Sequence, residues 1–326
     1  MMEIAAKVGS DDIAVVYVGK FPDDELVEFV EAIQPPMPRE DKWVLMLSTL
    51  YGCPVECKMC DAGGFYHGKI SKERLLAQLD YMVQRHYPDG VIPCRQFKIQ
   101  FARMGEPSFN PAVLELLREL PSRYQAPGLM PSLSTIAPGG VDGFFEELLE
   151  IKNELYPDGQ FQFQFSLHTS DEALRRELIP VRTWSFAQMA AFGERWYRPG
   201  DRKITLNFAL AKDIPLRPAD LTPHFDPEKF LIKITPLNPT YTAASHGLDS
   251  YIDTATGKMS GTVAEGLEAA GYRVIVSVGE LEENRIGSNC GQYVLKHVMA
   301  ESKLGSGYLY KIEDYPNEET NARSAL

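Results

Sequence analysis

The chain has 326 residues, 44% hydrophobic and 24% charged, enough to bury a sizeable core as one large domain or two small ones. Thirty-three Lys and Arg against forty-five Asp and Glu leave a net charge of -12, which disfavours binding to a phosphate backbone. The amino terminus shows no basic region followed by an apolar run, and no stretch of about 18 apolar residues follows, so neither export nor a membrane span is expected and a cytoplasmic protein is. Under those conditions Cys53, Cys57, Cys60, Cys94 and Cys290 point to metal or thiol chemistry rather than to disulfides.

After a polar start, IAVVYVGKF (13–21) and LVEFVEAIQ (26–34) flank a turn-forming PDDE and predict a hairpin, and the proline-rich PPMPRE closes this first region, 1–41. From Lys42 the pattern alternates. WVLMLS predicts a buried strand, and SKERLLAQLDYMVQRHY predicts a helix with Leu75, Leu76, Leu79, Met82 and Val83 on one face. FKIQFARM (97–104), LMPSLST (129–135), FQFQFSLH (161–168), KITLNFAL (203–210) and FLIKITPL (230–237) repeat the strand signature, with helix-compatible segments such as PAVLELLREL and VDGFFEELLEIKNELY between them. Six strands separated by helices predict an α/β fold over 42–240, its parallel sheet open or curled into a partial barrel, with chemistry at the carboxyl ends of the strands. The remainder, 241–326, holds a further strand in YRVIVSV (272–278), a helix in GQYVLKHVMAESK and a frayed tail in PNEETNARSAL.

The stretch GCPVECKMCDAGG (52–64) places Cys53, Cys57 and Cys60 in a C-x3-C-x2-C spacing on the loop directly after the first core strand. A catalytic zinc takes three protein ligands and a structural zinc four, so these cysteines with His67 form one candidate metal set. An iron–sulfur cubane is normally held by four thiolates, and a set of three leaves one iron open to another ligand. Three small buried hydrophobes are the plainest alternative.

Other strand ends carry MGEP (104–107), SLST (132–135), SLH (166–168) and PLNP (236–239), and SNCGQ follows at 288–292. With the cysteine spacing, these motifs resemble the radical SAM superfamily and, in order and spacing over about residues 13–300, the RlmN and Cfr family of methyl synthases that methylate adenosine in RNA. The resemblance implies a partial (β/α)6 barrel in which Cys53, Cys57 and Cys60 hold a 4Fe-4S cluster whose open iron is chelated by S-adenosylmethionine (SAM). Gly105 and Glu106 would then receive the methionine amino group, Ser134 the ribose and Asn238 the adenosine part, with Ser166, Leu167 and His168 as a further SAM segment. Cys290 matches the cysteine that SAM methylates, from which a 5'-deoxyadenosyl radical removes hydrogen before the carbon radical adds to an sp2 carbon. Glu28 resembles the family's proton-accepting glutamate, and an external donor such as flavodoxin or ferredoxin would supply electrons.

Two departures from the family stand out. The family's second cysteine, seven residues before the cluster, is here Met46, which has no ionisable thiol. Cys94 precedes the second core strand and is expected at the opposite end of the sheet. Barely forty residues precede the first core strand, so the family's helical RNA-binding domain is not expected. With the acidic balance, these departures favour a small unsaturated or aromatic substrate. RNA adenosine methylation and a non-methylating enzyme using Cys290 as hydrogen-atom donor are the alternatives.

Overall fold

Apolar residues recur every second position in the segments that become strands and every third or fourth in those that become helices, and from residue 43 onward the two patterns alternate. The computed structural model describes residues 1–253, 256–259, 262–279, 281–289, 295–297, 300 and 310–314. Its strands are β1 (Glu3–Ser10), β2 (Ala14–Lys20), β3 (Leu26–Ile33), β4 (Trp43–Leu47), β5 (Leu50–Tyr51), β6 (Gly68–Lys69), β7 (Phe97–Phe101), β8 (Leu129–Thr135), β9 (Gln162–Ser166), β10 (Ile204–Leu210), β11 (Phe230–Pro236), β12 (Val274–Val276) and β13 (Glu313–Asp314). The helices are α1 (Lys72–His86), α2 (Ala112–Arg123), α3 (Asp142–Leu155), α4 (Glu172–Leu178), α5 (Phe186–Trp196), α6 (Pro218–Leu221), α7 (Tyr241–Ser245), α8 (Val263–Ala269) and α9 (Leu281–Ile286).

One sheet of eleven strands runs in the order β12-β11-β10-β9-β8-β7-β4-β3-β2-β1-β13. Neighbours from β4 to β12 pair in parallel, which makes seven such strands because the short β12 joins the six expected. β2 and β3 form the expected hairpin, with Val18 opposite Glu28, and β3 continues antiparallel onto β4, with Val30 opposite Met46. The first residues were read as a polar start and are a strand: β1 lies antiparallel on β2. EIAAKVGS has little β-propensity of its own, and its pairing comes from the adjacent, strongly β-forming AVVYVGK.

Strand alternation gives the parallel sheet two different faces. Trp43, Phe97, Phe163 and Phe165 belong to the main core, which the helices cover. α1 contributes Leu75, Leu76, Leu79, Met82 and Val83 to it, as its periodicity predicts. The other face carries Met46, Lys98, Gln100, Gln164, Asn207 and Lys233, a polar inner wall. Because the strands are parallel, the turns after β4, β7, β8, β9 and β11 all open at one end, where the motifs lie. Among the described residues no helix is long and apolar enough to cross a membrane. Cys290, most of the expected helix GQYVLKHVMAESK and the tail PNEETNARSAL lie outside the described residues.

Candidate active site

The cysteine loop is tied down on three sides. The amide of Lys58 donates to the carbonyl of Leu178 at the end of α4 at 3.0 Å, and the Thr240 hydroxyl donates to the Met59 carbonyl at 2.9 Å. Asp61, fully buried, accepts the amides of Tyr241 (3.1 Å) and Thr242 (2.8 Å) and the Thr242 hydroxyl (2.7 Å), so the residue after Cys60 caps α7. Cys53 and Cys57 pack against an apolar cluster built from Val55, Ile136, Ile179, Ala211 and Leu237, residues drawn from several strand ends. Burial pushes the Cys53 thiol up to about 11, against the pull of the Val55 and Glu106 backbone amides, and pushes Cys57 up further beside Cys53 and Glu106.

The MGEP turn follows β7. Gly105 adopts φ +92°, and a Cβ there would stand 2.5 Å from the Cβ of Leu50, so a side chain would both strain the backbone and clash. This close approach puts Glu106 beside the cysteine loop. Its carboxylate is buried and accepts the Thr135 hydroxyl (2.5 Å), the Ser108 hydroxyl (2.7 Å) and amide (3.2 Å), and the Ile136 amide (2.9 Å). Burial raises its pKa, and those four donors only partly offset the effect.

The remaining strand-end residues are held by bonds of their own. The Ser134 hydroxyl accepts from Gln164 at 3.2 Å. The Ser166 carbonyl accepts from Arg175 at 3.2 Å, and the same guanidinium donates to the Ile136 carbonyl at 2.7 Å, tying the ends of β8 and β9 together. Leu167 sends its side chain into the main core, which leaves only its backbone to face a ligand. His168 has φ +66°, and its Nδ1 accepts the Ala209 amide at 3.2 Å. Burial, with Arg175 nearby, holds it neutral, its pKa down to about 4. Asn238 donates through Nδ2 to the Asn289 carbonyl at 3.3 Å, at the edge of the stretch containing Cys290.

His67 does not join the cysteines. Its Nε2 is paired with Glu25 at 2.5 Å and its Nδ1 with the Phe65 carbonyl at 2.7 Å, on an exposed flank. With His67 held there, the zinc set of His67 with the three cysteines is not formed. Glu28 is wholly buried and forms an ion pair with Arg103 at 2.8 Å. Met46 lies on the inner wall and packs on the cluster containing Val30, against which Leu295 and Tyr241 also pack. Cys94, buried beside Tyr87, precedes β7 at the end of the sheet opposite these residues.

No protein-family model matches the chain. It is 25% identical over 303 residues to "Probable dual-specificity RNA methyltransferase RlmN" of Thermus thermophilus, covering 88% of this chain and 76% of that protein. A protein of the same description from Trichormus variabilis is 27% identical over 236 residues, 71% of this chain. The match spans 61% of the Trichormus protein and 58% of a Synechococcus relative. The solved structure of a radical SAM methyltransferase from Sphaerobacter thermophilus shares the fold, with a TM-score of 0.68 at 19% identity over 89% of this chain and 80% of that one. In sequence the chain is similar to RlmN methyltransferases, and in fold to a radical SAM methyltransferase.

The 4Fe-4S cluster and SAM of radical SAM methyltransferases agree with the donors present. Three thiols stand on one loop, and burial disfavours the thiolate at Cys53 and Cys57, a cost that a cationic metal centre would offset. Beside them the chain offers Glu106, with an oxygen that can still accept a hydrogen bond. Sequence reading missed Arg103, Thr135 and Arg175, which hold this site together from strand ends and from α4. Only Arg103 carried a local signal, as a charge inside the apolar run FARM, whereas the other two are recognisable only once β8, β9 and α4 are packed.

Proposed function

We propose that the chain is a radical SAM methyl synthase that places a SAM-derived methyl group on Cys290 and passes that carbon to an sp2 carbon of a small unsaturated or aromatic substrate. The observation that carries this reading is a convergence at one end of the sheet. The cysteine loop, the buried Glu106 and the residues on either side of the Cys290 stretch all meet there. When bound, the cluster supplies the electron that opens SAM to a 5'-deoxyadenosyl radical, with the electron taken from a flavodoxin- or ferredoxin-like donor. Glu106 holds the methionine ammonium, and Gly105 lets the backbone come close enough for that contact. Ser134, the Ser166–His168 segment and Asn238 face the nucleoside part. Glu28 serves as the proton acceptor once the carbon is attached. The net charge of -12 supports a small substrate over nucleic acid.

Transfer to RNA, at adenosine as the family resemblance implies, is the second reading, supported by similar proteins that are named RNA methyltransferases. Exposed Phe65 and Tyr66, with the Lys296 ammonium 4.9 Å from the Phe65 ring centre, would give a base something to stack on near the cysteine loop. Anaerobic reconstitution, incubation with methyl-deuterated SAM and peptide mass spectrometry test the methyl-carrier step, with label on Cys290 as the expected result. SAM cleavage with Cys290 unlabelled would sink it and leave Cys290 as a hydrogen-atom donor. Label recovered in the nucleosides of added ribosomal RNA would favour the second reading.

A further inference from the structure

A buried ion pair stands between the SAM-binding turn and the carboxyl-terminal extension. Arg103 immediately precedes Met104-Gly105-Glu106, and its amide donates to the Leu47 carbonyl at the end of β4 at 3.1 Å, so its backbone is fixed by the sheet. Its guanidinium donates through Nη2 to Oε2 of Glu28 at 2.8 Å and to the Gly287 carbonyl at 3.1 Å, and through Nη1 to the Ser288 carbonyl at 2.8 Å. The other carboxylate oxygen, Oε1, accepts the Leu295 amide at 2.8 Å. Both side chains are sealed from water, 1% and 0% exposed. One partner of the pair therefore holds residues 287–288 and the other holds residue 295, on either side of the stretch 290–294 in which Cys290 falls.

We infer that Arg103 is a positioning residue: together with Glu28 it ties residues 287–288 and 295, which flank Cys290 in sequence, to the turn that receives SAM. The inference rests on the methyl-carrier reading for its consequence, though not for its geometry. A buried ion pair is a weak source of stability against apolar replacement, and its best-attested use is to fix register. Here the fork of a guanidinium reaches two successive carbonyls and a carboxylate at once, which a lysine ammonium cannot match in geometry. Glu106, the next carboxylate along, is bonded to β8, so the SAM turn and residues 287–288 draw on separate anchors that Arg103 joins, while the Ser48 hydroxyl ties the Met104 amide to the Glu28 carbonyl.

The test is hydrogen–deuterium exchange on the full chain, comparing wild type with Arg103→Met and with Arg103→Met/Glu28→Gln, the double variant leaving no buried charge unpaired. Peptides covering 285–297 are expected to exchange about tenfold faster or more in both variants, while peptides from β7 to β10 keep their protection. In reconstituted protein, deuterated methyl on Cys290 should fall by a similar factor while 5'-deoxyadenosine is still formed. Unchanged protection of 285–297 in the double variant would overturn the clamp, as would an equal loosening of the whole sheet. If wild type itself places no label on Cys290, the methyl-carrier reading fails and the exchange result still judges the clamp.

Discussion

The amide of Ile136, just past the end of β8, lies 2.9 Å from Oε2 of Glu106, and among the described residues it is the sole donor to that oxygen. The other oxygen takes the hydroxyls of Thr135 and Ser108 and the Ser108 amide. Oε2 thus keeps a lone pair inside a buried pocket whose burial works against the charge. An ammonium placed there would gain a charge-assisted bond. Glu106→Gln keeps the shape and loses the charge, so SAM affinity measured by calorimetry on anaerobic protein should fall about 10- to 100-fold; its amide nitrogen would face the Ile136 N–H, so a stability loss of about 1–3 kcal/mol is expected as well. Undiminished affinity would remove Glu106 from the SAM site.

Gly105 and Gly64 both have positive φ, +92° and +81°, yet they are not equivalent. A Cβ on Gly105 would meet Leu50 at 2.5 Å, whereas one on Gly64 meets nothing within 4 Å. Gly64→Ala should therefore cost only backbone strain, about 1 kcal/mol, and Gly105→Ala roughly 2–4 kcal/mol because a packed side chain must also move. Urea unfolding of the two variants separates these terms. Equal costs would mean that Leu50 yields freely and that the MGEP turn is not held by packing.

The alternating pattern from Trp43 to Pro236 made the parallel sheet legible, because strand and helix periods leave different apolar spacings in one sequence. The hairpin was legible too, through the β-branched runs flanking PDDE. β1 was not, since Ala5, Ala6 and Gly9 pair only because β2 is there to pair with. The cysteine loop could be named from spacing and Gly105 and Glu106 from the family resemblance, but the donors around the buried Glu106 carboxyl come from Ser108 and from the end of β8, and their arrangement depends on packing. The zinc set failed for a similar reason: His67 is close to Cys60 in sequence, and the short β5–β6 pairing carries it to Glu25. Long-range ties of this kind, Arg103 to Ser288 above all, leave no periodic trace.

Met46 occupies the position where the family has its second cysteine, on the inner wall of β4 and in the same apolar cluster as Leu295. Residue 295 directly follows the Cys290 stretch, so a thiol at position 46 should come within reach of Cys290. In Met46→Cys, mild oxidation is expected to join residues 46 and 290 in a disulfide, found by non-reducing peptide mass spectrometry, since bridging needs the two Cα atoms within about 7 Å. Failure to cross-link would place Cys290 away from β4, and the missing thiol would then not explain how a covalent product leaves. A cross-link would make the same variant the means of asking whether a second thiol speeds release.

Lys98 of β7 sits on the inner wall, where burial and the like charges of Lys233, Lys42 and Arg202 bring its pKa down to about 7. Its ordinary value is 10.5, so between those two limits the unfolded chain binds a proton that the folded chain has released, and stability rises with pH. Below about 7 both states are protonated, and the fold bears the full cost of a poorly solvated ammonium. Lys98→Met keeps the length and removes the charge. The variant should be more stable than wild type by roughly 2 kcal/mol at pH 6.5, allowing for water that reaches the wall, and the advantage should shrink steadily by about pH 10. Urea unfolding of both proteins across that range gives the difference directly. A gap independent of pH would mean that Lys98 keeps its proton throughout, its charge answered by something other than the residues facing it.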